Sequence, residues 1–212
     1  MKSILIHPCY FGPIDLYAVL AQSSGFVMEK HDNYQKQTYR SRQYIYGANG
    51  SLLLNIPIKH RAQKTDKHQS YQDIRIENAF KWQRLHWKSF EAAYRTSPFF
   101  EFYEDEFIDL FTKEATFLMD FNLKCMEVVF ECLGLDFNFD FTEEFKMAPE
   151  TLNDQRDLVN SKRETKANLE NYIQVFQSKH GYIPNLSILD LLFNKGPSAL
   201  EYLQSQKLSL LE

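Results

Sequence analysis

Apolar and polar positions along this chain follow one rhythm before about residue 78 and another after it. Residues 3–7, SILIH, form a short apolar run closed by Pro8, the pattern of a buried strand. Gly12-Pro13 then permits a helix start, because proline suits a first-turn position. Ile14, Leu16, Tyr17, Leu20 and Ala21 recur at helical spacing to about Gln22. Ser23-Ser24-Gly25 stops that helix, and FVM at 26–28 reads as a second strand, which a right-handed crossover would set parallel to the first. RQYIY (42–46), the turn GANG (47–50) and SLLLNIPI (51–58) predict a β-hairpin, Gly and Asn supplying the positive φ that short hairpin turns need. HRAQKTDKHQ (60–69) reads as a polar loop, and the alternating YQDIRI (71–76) as a half-buried strand.

From Asn78 the period becomes helical: about 80–96, then 98–111 with Pro98 in its first turn, then 114–133 closed by Gly134. In the third, Phe117, Leu118, Phe121, Cys125, Val128, Val129 and Cys132 make an i, i+3, i+4 stripe that belongs in the core. Residues 142–170 read as a loop with local helix, and YIQVF (172–176) as a strand candidate. Ser187-Ile-Leu-Asp190 is a capping-box variant opening a helix, and Gly196-Pro197 separates it from a last helix to about Ser205. The fold class is therefore mixed α/β: a small mixed sheet with a βαβ-like start and a hairpin, then a mostly helical C-terminal half. One domain over 1–212 is expected, with 1–78 mainly sheet-forming and 79–212 mainly helical.

Composition narrows the class. With 44% apolar and 15% aromatic residues among 212, a disordered chain is excluded, and most of the 18 Phe and 12 Tyr must be core. Cys9, Cys125 and Cys132 show neither CxxC nor metal spacing, which suits a reducing cytoplasm; Cys125 and Cys132 read as packing thiols. The N-terminal MKSILIHPCY lacks the features of a signal peptide. No run approaches the roughly 18–20 apolar residues of a membrane span. The net charge of −4 is unevenly spread: residues 30–68 hold eight Lys/Arg against Asp32 and Asp66, whereas 101–144 hold thirteen Asp/Glu against Lys113 and Lys124. A basic N-terminal region points to an anionic ligand there.

His7 ends the first strand, just before the loop that feeds the helix. In open α/β sheets ligands bind at that edge, where strand ends and helix N-termini converge, and a histidine there suits a general base or a phosphate donor. Tyr10 and Phe11 are placed either to stack on a base or sugar or to fill the core. The run NYQKQTYRSR (33–42) crowds Asn33, Gln35, Lys36, Gln37, Arg40 and Arg42 together. If extended, it puts Lys36, Arg40 and Arg42 on one face, ready for phosphate or carboxylate; the alternative is a solvated edge strand whose charges discourage aggregation. On KWQRLHWKSFEAAY (81–94), Trp82, His86, Ser89, Phe90 and Ala93 share a helix face, so His86 is either a core histidine or a second catalytic candidate. YEDEFID (103–109) lacks histidines at ligand spacing and reads as a solvated face, not a metal site. Neither GxGxxG nor a P-loop occurs, and the sequence identifies no cofactor.

HPCYFGP, NYQKQTYRSR, the GANG hairpin leading to SLLLNIPI, WQRLHWKSFEAAYRTSPFFEFYEDEF and the terminal PNLSILDLLFNKGPSAL together resemble the WbqC-like protein family of bacteria. The resemblance implies a bacterial cytoplasmic protein handling nucleotide-linked sugars or their acyl donors in cell-surface polysaccharide (O-antigen-type) assembly. The family's His-x-Pro-x-Tyr-Phe-type segment falls on His7, Tyr10 and Phe11, and its lysine on Lys36. Its Asn-Arg pair falls on Ser41-Arg42, so a serine stands where the family carries asparagine; one hydroxyl cannot reproduce an amide's two-sided hydrogen bonding. His86 matches a recurrent position of the helical motif.

The candidate site is then His7 and His86 as catalytic groups, with Tyr10, Asn33, Lys36, Arg40 and Arg42 contacting substrate and no metal ligand. The partner implied is an anionic small molecule of nucleotide-sugar or acyl-carrier type, and the activity a transfer of an acyl or aminoacyl group to an amino sugar. A catalytically idle ligand-binding or scaffold protein of a surface-glycan pathway is the alternative. A third reading is a single-stranded nucleic-acid module, with Tyr34, Tyr39, Tyr44 and Tyr46 interleaved among the cations, but the chain's acidity weighs against it. The first reading carries a geometric expectation: His7, Lys36, Arg40 and Arg42 line one pocket.

Overall fold

The computed structural model of the protein describes residues 3–59, 69–163 and 168–208. HRAQKTDKHQ lies outside the described residues except for its last one. The chain order is β1 (Ile4–Ile6), α1 (Ile14–Ala21), β2 (Phe26–Met28), β3 (Arg42–Gly47), β4 (Gly50–Asn55), α2 (Trp82–Tyr94), α3 (Phe100–Thr112), α4 (Leu118–Leu133), β5 (Phe139–Phe141), β6 (Asn153–Asp154), α5 (Gln177–His180), α6 (Ile188–Lys195) and α7 (Ala199–Ser205). The fold is mixed α/β, with a mostly helical C-terminal half.

β1, β2, β5 and β6 form a four-stranded sheet of order β5-β2-β1-β6, each neighbouring pair parallel. The first strand is buried at all three positions, which explains its uninterrupted Ile-Leu-Ile: an inner strand of a parallel sheet is covered on both faces. The expected β1-α1-β2 opening is present, with Ile4 opposite Phe26 and Ile6 opposite Met28. The turn into α1 needs left-handed backbone at Phe11 and Gly12 (φ 55° and 48°). A Cβ on Gly12 would lie 2.6 Å from the Cys9 Sγ, so only glycine fits.

The hairpin pairs Arg42 with Asn55 and Gly47 with Gly50, close to its expected limits. Of its turn residues only Gly50 adopts positive φ (98°); Asn49 does not. α2, α3 and α4 follow near their expected bounds, and Gly134, left-handed at φ 69°, caps α4 while Leu135 N–H returns to Phe130 O at 2.9 Å. Much of the aromatic content is accounted for around these helices, where Phe11, Phe90, Phe107, Phe111, Phe121 and Phe193 meet in edge-on contacts. Cys125 is buried and Cys132 partly so.

β5 and β6, from the later part of the chain, complete the sheet that β1 and β2 begin. Three expectations need correction. YQDIRI is not a strand: Tyr71–Asp73 make a 3-10 turn, and Arg75 and Ile76 form only single-residue bridges to Phe117 and Ile58. Its alternation records the burial of Tyr71, Ile74 and Ile76 without a ladder. YIQVF is no strand either, and its inward residues are the polar ones: Tyr172 and Gln174 are buried while Ile173 is 84% exposed. Finally, Ser187 caps α6 through Leu189 N–H at 3.4 Å, but Asp190 does not close a capping box. Its carboxylate accepts from Tyr94 Oη (2.9 Å), Tyr172 Oη (2.5 Å) and Gln174 Nε2 (2.9 Å) inside the protein.

Candidate functional site

The carboxyl ends of β1 and β6 open on a cleft of about 480 Å³. Topology makes this the place to look. From β1 the chain crosses to β2 on one side and returns much later to place β6 on the other, so the connections diverge at the β1/β6 boundary. Divergence of that kind leaves a crevice beyond the strand ends. His7 follows β1, Asp154 ends β6 and Arg156 follows it; Asp32 and Arg40 reach in from the loop after β2, and Thr38, Asp157 and Asn160 complete the wall.

The centre of the cleft is a buried three-way contact. Arg40, 1% exposed, places Nη2 2.7 Å from Asp32 Oδ2 and 2.5 Å from His7 Nε2, and Nη1 donates to Asn33 O at 2.9 Å. Its guanidinium carbon lies 5.0 Å from the Tyr71 ring centre, and Tyr71 donates to Pro8 O at 2.8 Å. Asn122, from the core stripe of α4, supports the loop by donating to Arg40 O and Tyr71 Oη, both at 2.6 Å. Backbone contacts from Tyr10 N to Tyr39 O (2.8 Å) and from Tyr39 N to Val159 O (2.7 Å) tie the loop to the turns after β1 and β6. The site is thus held rigid from three directions.

Two groups compete for His7 Nε2. Arg40 can only donate, and the Asp32 carboxylate, 3.2 Å away, can only accept. The shorter contact gives the neutral ring a lone pair on Nε2 and its proton on Nδ1, which is buried without a hydrogen-bond partner. Burial, aided by the charge of Arg40 and opposed by Asp32, pushes the His7 pKa down to about 4. Burial works to raise the Asp32 carboxyl, but its contacts with His7 and Arg40 prevail and hold it well below the usual carboxylate range. Across the cleft Arg156 grips Asp154 through Nε (2.8 Å) and Nη2 (2.6 Å), which keeps Asp154 low against the opposing effect of its own burial.

The other sequence-derived candidates lie elsewhere. Tyr10 is fully buried, and its hydroxyl meets His86 Nδ1 at 2.8 Å beneath the site, with Trp82 edge-on to the imidazole. Burial lowers the His86 pKa to about 4. Asn33 is exposed and contributes its carbonyl to Arg40. The run 33–42 is not extended: Gln37 is left-handed (φ 62°), and the loop curls so that Gln35, Thr38 and Arg40 face the first cleft. Tyr34, Lys36, Gln37, Ser41 and Arg42 face a second one. The expected single pocket is therefore divided, His7 and Arg40 on one side and Lys36 and Arg42 on the other. Nor do the four tyrosines form a stacking platform, since Tyr46 is buried and donates to Gly181 O at 2.5 Å. Sequence reasoning missed Asp32, Asp154, Arg156, Asp157 and Asn160. The only signal was the charged NDQRD at 153–157, and its placement depended on an undetected two-residue strand.

Residues 7–176 match the WbqC-like protein family. The chain belongs to that family. The matched span holds both clefts but stops short of PNLSILDLLF, so the terminal helices lie outside it. No curated protein and no solved structure matches the chain. No helix among the described residues is long and apolar enough to cross a membrane.

Burial of the two histidines should make the fold of this WbqC-like protein sensitive to acid. Each ring has a folded pKa near 4 against an ordinary 6.5, so the unfolded chain binds more protons between those values. Their stabilising contribution is complete above pH 6.5 and is lost as pH falls towards 4, by about 3 kcal/mol per ring. Urea midpoints should drop steeply over that window, with a clearly shallower slope in His86→Gln; equal slopes would show that His86 does not titrate there.

Proposed function

We propose that this WbqC-like protein is a transferase of cell-surface polysaccharide assembly, acting on a phosphate-bearing, carrier-linked sugar or acyl donor, with the β1/β6 cleft as its reaction centre. The observation that carries this reading is the His7–Asp32–Arg40 contact at the edge where open α/β sheets bind ligands. His7 is the proton carrier. In the free protein Arg40 occupies the Nε2 lone pair. An anionic substrate drawing Arg40 towards itself frees the Nε2 lone pair, so Nε2 takes the proton of the attacking group and Asp32, 3.2 Å away, stabilises the imidazolium that forms. Tyr10 and His86 act only by supporting the floor of the site, and Arg156 holds the far wall in place.

The test begins with mass spectrometry of small molecules that co-purify with the protein, expected to yield a phosphate-bearing sugar or acyl carrier. Turnover of that compound should fall by about 100-fold or more in His7→Gln, the usual loss when an acid–base group is removed, with binding retained. Undiminished turnover in His7→Gln would overturn the assignment. The burial of His7, 2% exposed, favours a second reading in which the cleft binds its ligand without chemistry. Saturable binding of the co-purified compound with no product under any acceptor would decide for it.

A further inference from the structure

The second cleft, about 650 Å³, lies on the opposite wall of the 33–42 loop and is closed by the hairpin end and the start of the helical region. Neither of its cations, Lys36 and Arg42, takes part in any ion pair among the described residues, whereas Arg40 and Arg156 of the first cleft both do. The Arg42 Nε is moreover buried with no hydrogen-bond partner, an arrangement that costs free energy unless something outside the chain completes it. One carboxylate, Glu77, lines the same cleft and accepts from Ala79 N at 2.9 Å, so the two cations outnumber it. Opposite them the wall is apolar, with Pro57 and a Phe80 ring that is 67% exposed. The Ser41 hydroxyl, bonded to Tyr34 Oη at 2.9 Å, adds a polar group to the wall that carries the cations.

An anion seat beside an exposed flat ring and a carboxylate matches the three parts of a nucleotide. Guanidinium and ammonium groups suit phosphate, an aromatic face suits a base, and a carboxylate accepts from sugar hydroxyls. We propose that the second cleft binds a nucleoside diphosphate, its phosphates between Lys36 and Arg42 and its base on Phe80. This deepens the transferase reading by naming the moiety of the donor that the protein holds and where. It rests on that reading only in making the bound nucleotide part of a substrate.

Calorimetric titration of the full chain with UDP, ADP and inorganic pyrophosphate tests the proposal. At least one nucleotide should bind more tightly than pyrophosphate. Arg42→Ala should weaken nucleotide and pyrophosphate alike by roughly tenfold or more, the usual loss of a charge-assisted contact, and the exposed Lys36→Ala should act in the same direction. Phe80→Ala should weaken the nucleotide by about tenfold and leave pyrophosphate unchanged. His7→Gln should leave all three affinities as they are, so a failed reaction assignment and a failed nucleotide site give different patterns. Absence of binding by all three probes at millimolar concentration would overturn the site, as would affinities indifferent to both cation substitutions. Pyrophosphate binding at least as tight as that of both nucleotides would overturn the nucleotide assignment.

Discussion

Asp190→Ala is expected to lower the unfolding free energy by about 3–6 kcal/mol, through orphaned buried donors and a small cavity. Asp190 is fully buried, and three donors converge on it from two directions. Tyr94 comes from α2, and its hydroxyl also accepts from Tyr46 N at 3.1 Å, so the hairpin hangs on the same atom. Tyr172 and Gln174 come from the segment before α5, where Gln174 also clasps Ile183 by donating to its carbonyl and accepting from its N–H, both at 2.9 Å. Alanine would leave two phenolic hydroxyls and an amide facing a void. The Asp190→Asn variant should be milder, at about 1–3 kcal/mol, because an amide can accept from one tyrosine and donate to the other. Urea denaturation of both variants checks this, and a loss under about 1 kcal/mol for alanine would show that the cluster does not anchor the C-terminal segment.

Arg40→Met should be comparably damaging, at about 3–5 kcal/mol, because it strips the partner from a buried carboxylate. The substitution keeps much of the side-chain volume over the Tyr71 ring, so the loss reports charge and hydrogen bonding more than packing. It should also change His7. Without Arg40 the ring loses a cation that holds its pKa down and keeps Asp32, which holds it up, so its titration should move upward from about 4. NMR of the imidazole reads this directly. Asp32→Asn combined with Arg40→Met should cost less than the sum of the two single changes, by about 1.5–3 kcal/mol, since each single change strands the other's charge. Strict additivity, with an unmoved His7 titration, would mean that the three side chains are neighbours without being coupled.

How far these features were legible in the sequence depended on the range of the contacts behind them. Local signals served well. Ile4–Ile6, the α1 spacing, the Gly-rich hairpin turn and the α4 stripe each arise from contacts within one element or the next, and their bounds were readable to within a few residues. That a cleft would open beyond the end of β1 was readable too, because it follows from strand–loop–helix order alone. What could not be read was long-range. Asn153-Asp154 has neither apolar character nor length, and becomes a strand only because β1 offers it an open edge. Arg40 reads as a surface cation in a polar run, and nothing nearby in sequence reveals that Asp32 and Tyr71 would enclose it. The parity argument for residues 33–42 fails at Gln37, where one left-handed residue turns the chain and sends Arg40 and Arg42 to different walls. Inversion of the usual rule at Tyr172–Gln174, polar in and apolar out, required knowledge of a carboxylate sixteen residues away.

The pairing of β1 with β6 sets a condition on how the molecule comes into being. Ile4 and Asn153 stand opposite each other across nearly 150 intervening positions, with Asn153 N–H donating to Ser3 O at 2.9 Å. A growing polypeptide can zip its first two strands and wind its early helices, yet it cannot seal the inner strand until that distant dipeptide has left the ribosome. Loop closure over such a span is entropically slow. Assembly of the β1/β6 cleft should accordingly be among the last events of maturation, so that nascent chains stopped before Asn153 carry an unprotected strand flank open to wrong partners.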